Sequence, residues 1–182
     1  MTNVARELLK KQFLGILHDN VCAPVVIVVE WVSELSRDHN AGFSVGLVDD
    51  ANFFEWNVCF EGPKNTLYEG GIYNATLSFP TDFPNHPPQM KFTQDMWHPN
   101  VFPDGRVCIS ILHPPGVDIY NEQEKSEERW RPIWSVEGIL VSVISMLNEP
   151  NLESPANVDA AVQIKNNLNE YKKKVRALAR MC

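Results

Sequence analysis

The stretch from Met96 to Leu112, MWHPNVFPDGRVCISIL, constrains the fold of this chain more than any other. A His-Pro-Asn turn begins at His98, and a Pro-Asp-Gly turn follows at Pro103. Two turn signals in succession cannot continue a helix or a strand, so the backbone must follow an irregular path here. Cys108 is carried on that irregular path.

Cys108 and Asn100 together suggest a chemistry. A thiol is the nucleophile that forms a thioester, and a side-chain amide can stabilise an oxyanion. We therefore predict a carrier that takes an acyl group onto Cys108 and passes it to an amine. The alternative is a buried structural cysteine, which is the commoner interpretation for a cysteine of unknown position.

Composition sets limits on the class of protein. The 182 residues, 44% of them hydrophobic, predict one domain with a sizeable core. A net charge of -7 and a pI near 5.2 argue against nucleic acid or an anionic membrane as the main partner. The four cysteines have no Cys-x-x-Cys spacing, so we expect reduced thiols, no disulfide and no metal site. Charged residues among the N-terminal leucines argue against a signal peptide.

Residues 3–14 predict a short amphipathic helix. Its apolar side is expected to hold Val4, Leu8 and Leu9. Its basic side holds Arg6, Lys10 and Lys11, for which charge pattern alone favours a solvated face.

The segment 15–33 contains the apolar run VCAPVVIVVEWV. A membrane span needs ~20 apolar residues, so this run is too short to cross a bilayer. Two interpretations stay open, a buried strand and an exposed insertion that would promote aggregation.

Alternating apolar residues after Gly42 predict consecutive strands. They begin near Phe43, Phe54 and Tyr73, and a short one follows at Met90 after a run of prolines. Short links between such strands favour an antiparallel meander.

Helical spacing returns in the last third of the chain. Ser135 is a predicted N-cap for a central apolar helix that Pro150 ends. From Asn157 onward, apolar residues at spacings of three and four predict one long amphipathic helix, with Leu168 on its packed side.

Several short motifs follow one another along the chain, each at one position. They are Gly62-Pro63, Tyr68-Glu69-Gly70-Gly71, Phe79-Pro80-Thr81-Asp82-Phe83-Pro84, Pro87-Pro88, His98-Pro99-Asn100, Gly105, Cys108 and Trp130-x-Pro132. In these motifs the chain resembles the ubiquitin-conjugating enzymes from Phe43 to the C-terminus. The segment from Cys108 to His113, the acidic stretch up to Trp130 and the segment Ser154–Asp159 resemble the G-type branch, close to the Cdc34-like enzymes.

The resemblance implies an α+β fold with an N-terminal helix, a four-stranded antiparallel meander, a central helix and C-terminal helices. Residues 1–182 would form a single catalytic domain with an insertion at 15–33 and an acidic loop at 114–129. Joining Leu14 directly to Glu34 restores a continuous family helix, so we interpret 15–33 as a lineage-specific insertion or a translated intron.

The resemblance also implies a function. The enzyme would accept ubiquitin on Cys108 from the activating enzyme and pass it to a lysine with a RING-type ligase, for proteasomal degradation. No cofactor is expected on the chain itself, because the activating enzyme uses the ATP. We expect a cytoplasmic location, with the nucleus or the cytosolic face of the endoplasmic reticulum, through a partner, as alternatives.

Site roles follow from the same resemblance. Asn100 would stabilise the oxyanion, while His98 and Pro99 would support the turn. Many family members carry an aspartate where this chain has Ser110 and Ser154, so we expect the acidic loop to help orient the incoming lysine. The candidate lysine-orienting residues are Ser110, His113, Ser154, Glu122 and Glu124.

Two surfaces are assigned more weakly by the resemblance. The expected contacts with the activating enzyme are Arg6, Lys10 and Lys11. The expected contacts with a ligase are Asn85, Pro132 and Ile133. Three alternatives stay open: a catalytically impaired ubiquitin-binding or scaffold module, a ubiquitin-like modifier as cargo, and a cysteine protease with His98 or His113 as base.

Overall fold

The computed structural model describes residues 3–20, 42–116 and 124–181. Four α-helices and four strands lie in these ranges. They are α1 (Asn3–Asn20), β1 (Phe43–Asp49), β2 (Asn52–Glu61), β3 (Ile72–Ser78), β4 (Gln89–Phe92), α2 (Val136–Asn148), α3 (Val158–Asn166) and α4 (Leu168–Ala179).

The four strands form one antiparallel sheet in the order β1-β2-β3-β4, so the predicted meander is confirmed. Alternation along β2 buries Trp56, Val58 and Phe60 and exposes Glu55 and Asn57. One face of the sheet therefore covers the hydrophobic core, as a period of two residues requires.

Helix α1 packs on the sheet through a stripe of residues that differs from the predicted one. The ring of Phe13 meets Trp56 edge-on, with ring centroids 5.0 Å apart. The prediction for Val4 is wrong, because its side chain is 73% exposed while Ala5 and Leu9 are buried. A helix turns by 100° per residue, so a stripe through Leu9 and Phe13 includes position 5 and leaves position 4 outside.

Helix α1 also runs further than the predicted end at residue 14. Residues 15–20 are helical, so the strand interpretation of segment 15–33 is wrong for its first six residues. Ile16 is buried in the core cluster, one turn beyond Phe13. The remaining part of that segment, 21–33, lies outside the described residues.

Helix α2 confirms the predicted central helix. The Ser135 hydroxyl accepts the Gly138 N–H at 3.1 Å, which is the predicted N-cap bond. Val136, Ile139 and Val143 are among the fully buried residues, and the helix ends at Asn148, before Pro150.

The C-terminal tail forms two helices, so the prediction of one long helix is wrong. Asn167 interrupts it with φ −149° and ψ 67°. Its N–H bonds the Gln163 carbonyl, and its side chain accepts the Glu170 N–H, so it ends α3 and caps α4. Leu168, the first residue of α4, is 45% exposed, so its predicted packed position is wrong. No helix in the described part of the chain is both long enough and apolar enough to cross a membrane.

Candidate active site

The segment that carries Cys108 lies along the edge of the sheet. The Val107 N–H donates to the Met90 carbonyl at 2.9 Å, which fixes the segment to β4. Both predicted turns form: the Val101 N–H bonds the His98 carbonyl, and the Gly105 N–H bonds the Phe102 carbonyl. The path is therefore irregular but held by several backbone hydrogen bonds.

Gly105 is required at the second turn. Its φ is +91°, and a Cβ there would lie 2.6 Å from the Phe92 carbonyl oxygen. The Phe92 N–H in turn donates to the Gly105 carbonyl at 2.9 Å. Only glycine fits a positive φ at such a close backbone approach.

His98 joins the first turn to α2 from a fully buried position. Its Nδ1 accepts the Asn100 N–H at 2.9 Å, so its Nε2–H donates to the Met146 carbonyl at 3.1 Å. Burial lowers the pKa of His98 to about 4, against the opposing effect of the Met146 carbonyl. The ring is therefore neutral at physiological pH.

Asn100 ties the turn to the loop after α2. Its Nδ2 donates to the Asn151 carbonyl at 2.9 Å, and its Oδ1 accepts the Asn151 N–H at 2.8 Å. Its own carbonyl accepts the Cys108 N–H at 2.9 Å. An amide nitrogen carries two hydrogens, so one donor remains for a further acceptor.

Cys108 is partly buried, and its Sγ lies 3.3 Å from Nε2 of His113. Burial raises the pKa of the Cys108 thiol, the Glu124 carboxylate raises it further, and Arg106 opposes them. The resting side chain at neutral pH is therefore a protonated thiol.

Glu124 holds His113 from the other side. Its Oε1 lies 2.7 Å from Nδ1 of His113, and its Oε2 accepts from Nε of Arg129 at 2.8 Å. Burial would raise the pKa of Glu124, but hydrogen bonds from Ser110, Arg129 and His113 lower it on balance. The carboxylate is therefore ionised, and with only 5% of its side chain exposed it is already engaged.

This arrangement supplies a nucleophile, a nitrogen base beside it and an amide donor on the neighbouring turn. These groups are suited to acyl transfer. They are equally suited to the protease alternative, because a cysteine beside a histidine can act as the nucleophile in either reaction. The geometry alone leaves that choice open.

Comparison with known proteins decides it. The family model described as "Ubiquitin-conjugating enzyme" matches residues 28–179. Ubiquitin-conjugating enzyme E2 15 of Schizosaccharomyces pombe is 59% identical over 149 residues, which are 82% of this chain and 89% of that protein. Ubiquitin-conjugating enzyme E2 7 of Arabidopsis thaliana is 52% identical over 155 residues, 85% of this chain and 93% of the relative. Human ubiquitin-conjugating enzyme E2 G2 is 50% identical over 140 residues, 77% and 84% of the two chains.

The chain belongs to the ubiquitin-conjugating enzyme family. The predicted transferase class and the predicted α+β fold are confirmed by this membership. Membership in this family implies ubiquitin, an activating enzyme and a ligase as partners. It also favours acyl transfer over the protease alternative.

The candidate lysine-orienting residues do not all meet at the sulfur of this conjugating enzyme. Ser110 begins a 3₁₀ turn (Ser110–Leu112) and bonds Glu124, so it joins His113 and Glu124 beside Cys108. Ser154 is exposed in the loop that follows α2, three residues beyond Asn151. Glu122 lies outside the described residues.

The two predicted partner surfaces are solvent-exposed. Arg6, Lys10 and Lys11 are exposed on α1. Asn85, Pro132 and Ile133 are exposed on two loops, and Ile133 is 85% exposed. Their roles stay predictions.

Trp130 holds these two loops together. Its Nε1–H donates to the Pro84 carbonyl at 2.8 Å, and its main-chain N–H donates to the His113 carbonyl at 3.1 Å. The loop that carries Pro132 is therefore fixed both to the loop of Asn85 and to the histidine beside the thiol.

Sequence reasoning missed Arg129 and Asn151. Arg129 stands in the acidic stretch that marks the resemblance to the G-type branch, but nothing in that pattern indicates that its side chain is buried and bonded to Glu124. Asn151 contributes only backbone atoms to Asn100, and no sequence signal could have found it. Of the other cysteines, Cys59 is partly buried on β2, and Cys22 and Cys182 lie outside the described residues.

Proposed function

We propose that this conjugating enzyme accepts ubiquitin as a thioester on Cys108 and transfers it to a lysine with a RING-type ligase. The observation that carries the proposal is the placement of the thiol. Cys108 is partly accessible on a segment that backbone hydrogen bonds fix. Its N–H donates to the Asn100 carbonyl, and its sulfur lies beside His113.

Asn100 serves two roles in this proposal. The pair of bonds to Asn151 supports the first, which is to hold the turn against the loop after α2. The second hydrogen on Nδ2 supports the other, which is to donate to the oxyanion when a lysine attacks the thioester.

The acceptor lysine needs a group that orients it. Glu124 is engaged by Arg129 and His113, so the free carboxylates of the described acidic stretch are Glu127 and Glu128, which are exposed. We assign lysine orientation to the acidic loop as a whole, together with Ser110, His113 and Ser154. The four-fold neutralisation Glu122→Gln, Glu124→Gln, Glu127→Gln and Glu128→Gln is then expected to slow chain formation.

Membership of the G-type branch is supported by the 50% identity to human ubiquitin-conjugating enzyme E2 G2. We extend from this branch the expectation of degradative signalling through the proteasome. The exposed positions Asn85, Pro132 and Ile133 form the surface proposed for the ligase. ATP is used upstream by the activating enzyme, and the chain itself is proposed to need no cofactor.

A cytoplasmic location fits reduced cysteines and an acidic chain. The nucleus and the cytosolic face of the endoplasmic reticulum, reached through a partner, remain the alternatives. A nucleic-acid partner is not proposed, because the net charge is -7.

A second candidate function is a ubiquitin-binding or scaffold module that no longer loads. One observation favours it. Helix α1 carries the bases proposed to meet the activating enzyme, and it continues without a break into residues 15–20 of the inserted segment. Extra chain next to that surface would obstruct the activating enzyme.

A charging assay tests the function. The protein is mixed with ubiquitin, activating enzyme and ATP, and it is analysed without reducing agent beside Cys108→Ser and Cys59→Ser. We expect a thiol-sensitive adduct in the wild type and in Cys59→Ser. In Cys108→Ser we expect no adduct, or an ester that resists thiols.

The absence of an adduct from folded wild-type protein would contradict the proposal. Repeating the assay with a chain that lacks residues 15–33 then separates the two candidate functions. Loading restored by the deletion means that the segment obstructs an otherwise active enzyme. No loading in either chain favours the binding module.

A further inference from the structure

Four side chains form one continuous hydrogen-bonded series that ends at the reactive sulfur. Sγ of Cys108 lies 3.3 Å from Nε2 of His113, Nδ1 of His113 lies 2.7 Å from Glu124, and Glu124 accepts from Nε of Arg129 at 2.8 Å. Lysine orientation, the role proposed above for this region, does not require any contact between His113 and the sulfur.

The carboxylate fixes the tautomer of the imidazole. Glu124 is ionised and can only accept, so the ring hydrogen of neutral His113 is on Nδ1. Nε2 then carries a lone pair, and this lone pair faces the Cys108 sulfur. A bare nitrogen at this distance is placed to accept the proton of the thiol.

The thiol needs such an acceptor. It is the thiolate that attacks, and the pKa of Cys108 is raised by burial and by the Glu124 charge. In the described part of the chain the charged groups acting on this thiol are Glu124, which hinders ionisation, and Arg106, which opposes that effect only in part. Ionisation before attack is therefore unfavourable, and transfer of the proton during attack avoids it.

We propose that His113 is the catalytic base of Cys108 during loading, and that Glu124 and Arg129 are its positioning residues. The S–H proton moves to Nε2 while the sulfur bonds the carbonyl carbon of the ubiquitin thioester on the activating enzyme. The tetrahedral intermediate then expels the activating enzyme's sulfur, which takes the proton back from Nε2. No oxidant or further reactant is needed.

Arg129 is suited to its part because it bridges two sides of the loop. Its side chain is 9% exposed, its Nε bonds Glu124, and its Nη1 donates to the Pro114 carbonyl at 3.1 Å. A planar fork can make both bonds at once, whereas a lysine ammonium on a flexible stem cannot reproduce that geometry.

This inference rests on the proposed function, so its first test avoids ubiquitin altogether. Iodoacetamide alkylates Cys108 directly, and the rate is followed by mass spectrometry of the Cys108 peptide from pH 6 to 9.5. We expect the wild-type rate to rise in two steps, the lower one belonging to an imidazole. In His113→Gln only the thiol step should remain, and the rate at pH 7 should fall about tenfold or more.

His86→Gln is the matched control. His86 is an exposed histidine with a carboxylate partner, Asp82, so it resembles His113 without a thiol beside it. Its profile should equal that of the wild type. Thermal melting of each variant confirms that it is folded.

The positioning residues are tested in the same profile. Glu124→Gln should lower the rate at pH 7 severalfold, because the carboxylate that bonds both Nδ1 of His113 and Nε of Arg129 is gone. Arg129→Ala should lower the rate at pH 7 severalfold, and Arg129→Lys should restore only part of it. A purely structural role would change the melting temperature and leave both steps where they were.

Loading is then measured as single-turnover transfer from ubiquitin-charged activating enzyme. His113→Gln should load about tenfold more slowly at pH 7 and approach the wild type at pH 9.5, where the thiol ionises unaided. An alkylation profile of His113→Gln that equals the wild-type profile would overturn the inference, and so would an unchanged loading rate. If the alkylation rate of wild-type protein rises in two steps but the protein never accepts ubiquitin, the proposed function is wrong, and so is the role of His113 in loading. The alkylation profile would still show that the imidazole assists the thiol.

Discussion

His98 and His113 both support the segment that carries Cys108, and they do so in opposite ways. His98 is fully buried, and both of its ring nitrogens bond backbone groups. His113 has 27% of its side chain exposed and lies between a thiol and a carboxylate. One histidine bonds groups that never change charge, and the other bonds groups that do.

The groups that a histidine bonds, more than the residue type itself, decide what that histidine does. Backbone carbonyls and amides hold His98 in one tautomer, and burial keeps it neutral, with a pKa of about 4. It therefore strengthens the turn and takes no part in proton transfer. His113 is tied to an ionised carboxylate and faces a thiol, which are the partners that proton transfer requires.

The largest expected effect lies on the buried side of the thiol. Asn100→Ala should slow discharge of ubiquitin to lysine by about 100- to 1,000-fold, the typical cost of removing an oxyanion donor. It should also lower the free energy of unfolding by about 1–3 kcal/mol, because both Asn151 backbone groups lose their partner. Single-turnover discharge and urea denaturation measure the two effects.

Asn57→Ala, an exposed substitution on β2, is the control and should change neither quantity. A loss of stability with unchanged discharge would show that Asn100 only ties the loop. The buried residues His98 and Asn100 would then have structural roles only, and His113 would differ from them more clearly.

The next effect is a dependence of stability on pH. The pKa of His98 is about 4 in the folded state and about 6.5 when unfolded, so below pH 6.5 the unfolded chain binds a proton that the folded one resists. Stability from this residue is fully present above pH 6.5 and is lost as pH falls towards 4, by about 3 kcal/mol. Denaturant titrations between pH 4 and 7 measure it.

His98→Gln should remove that part of the pH dependence, whereas His113→Gln should retain it. The comparison of the two histidines fails if the two variants show the same pH dependence.

A smaller effect is expected from substituting two glycines, Gly105 before the thiol and Gly116 after it, whose replacement by alanine should cost different amounts of stability. Gly105→Ala should cost about 1–3 kcal/mol through a forced positive φ, together with a contact of 2.6 Å to the Phe92 carbonyl. Gly116, which follows His113, has φ +118° and no atom within 4 Å of an added Cβ. Gly116→Ala should therefore carry the backbone strain alone.

Thermal melting of the two glycine variants provides the measurement. Equal losses of melting temperature would mean that the close contact at Gly105 adds nothing to the cost of the positive φ. The segment before Cys108 would then tolerate a substitution as easily as the loop after His113.

The smallest effect is expected from deleting residues 15–33. In the joined chain Leu35 falls at the helical position that Ile16 occupies, so the buried stripe of α1 keeps an apolar residue there. The change in the free energy of unfolding should stay below about 1 kcal/mol, because one aliphatic side chain replaces another of equal size. Solubility should rise, and the pH dependence of stability that His98 contributes should stay as in the full chain.

Melting temperature and solubility of the shortened chain test this expectation. A sharp fall in the melting temperature would show that the segment contributes to the core.

The sheet, α2 and the two turns could be predicted because each is specified by neighbours in sequence. Alternation defines β2, a serine cap begins α2, and Pro-Asp-Gly at Pro103 defines a turn. The break at Asn167 could not be predicted from spacing, because the apolar pattern continues through it and only the capping bonds of that asparagine interrupt the helix.

The site divides in the same way. Cys108 and Asn100 are predicted from the turns that carry them, and His113 from the resemblance of the segment from Cys108 to His113 to the G-type branch. The bonds of Asn100 to Asn151 and of Glu124 to Arg129 depend on how loops meet in space. A sequence that specifies each turn locally does not specify which backbone group or charge will face it.

Trp130 limits how the acidic loop of this enzyme can be redesigned. One end of the residue holds the carbonyl of Pro84, beside the surface proposed for the ligase, and the other holds the carbonyl of His113, beside the thiol. An engineer who exchanges the acidic loop must keep Trp130 in place, because its two hydrogen bonds fix the position to which the end of any new loop has to return. A substitution that shifts the Pro84 carbonyl would affect His113, the neighbour of the reactive sulfur, through one residue and its two hydrogen bonds.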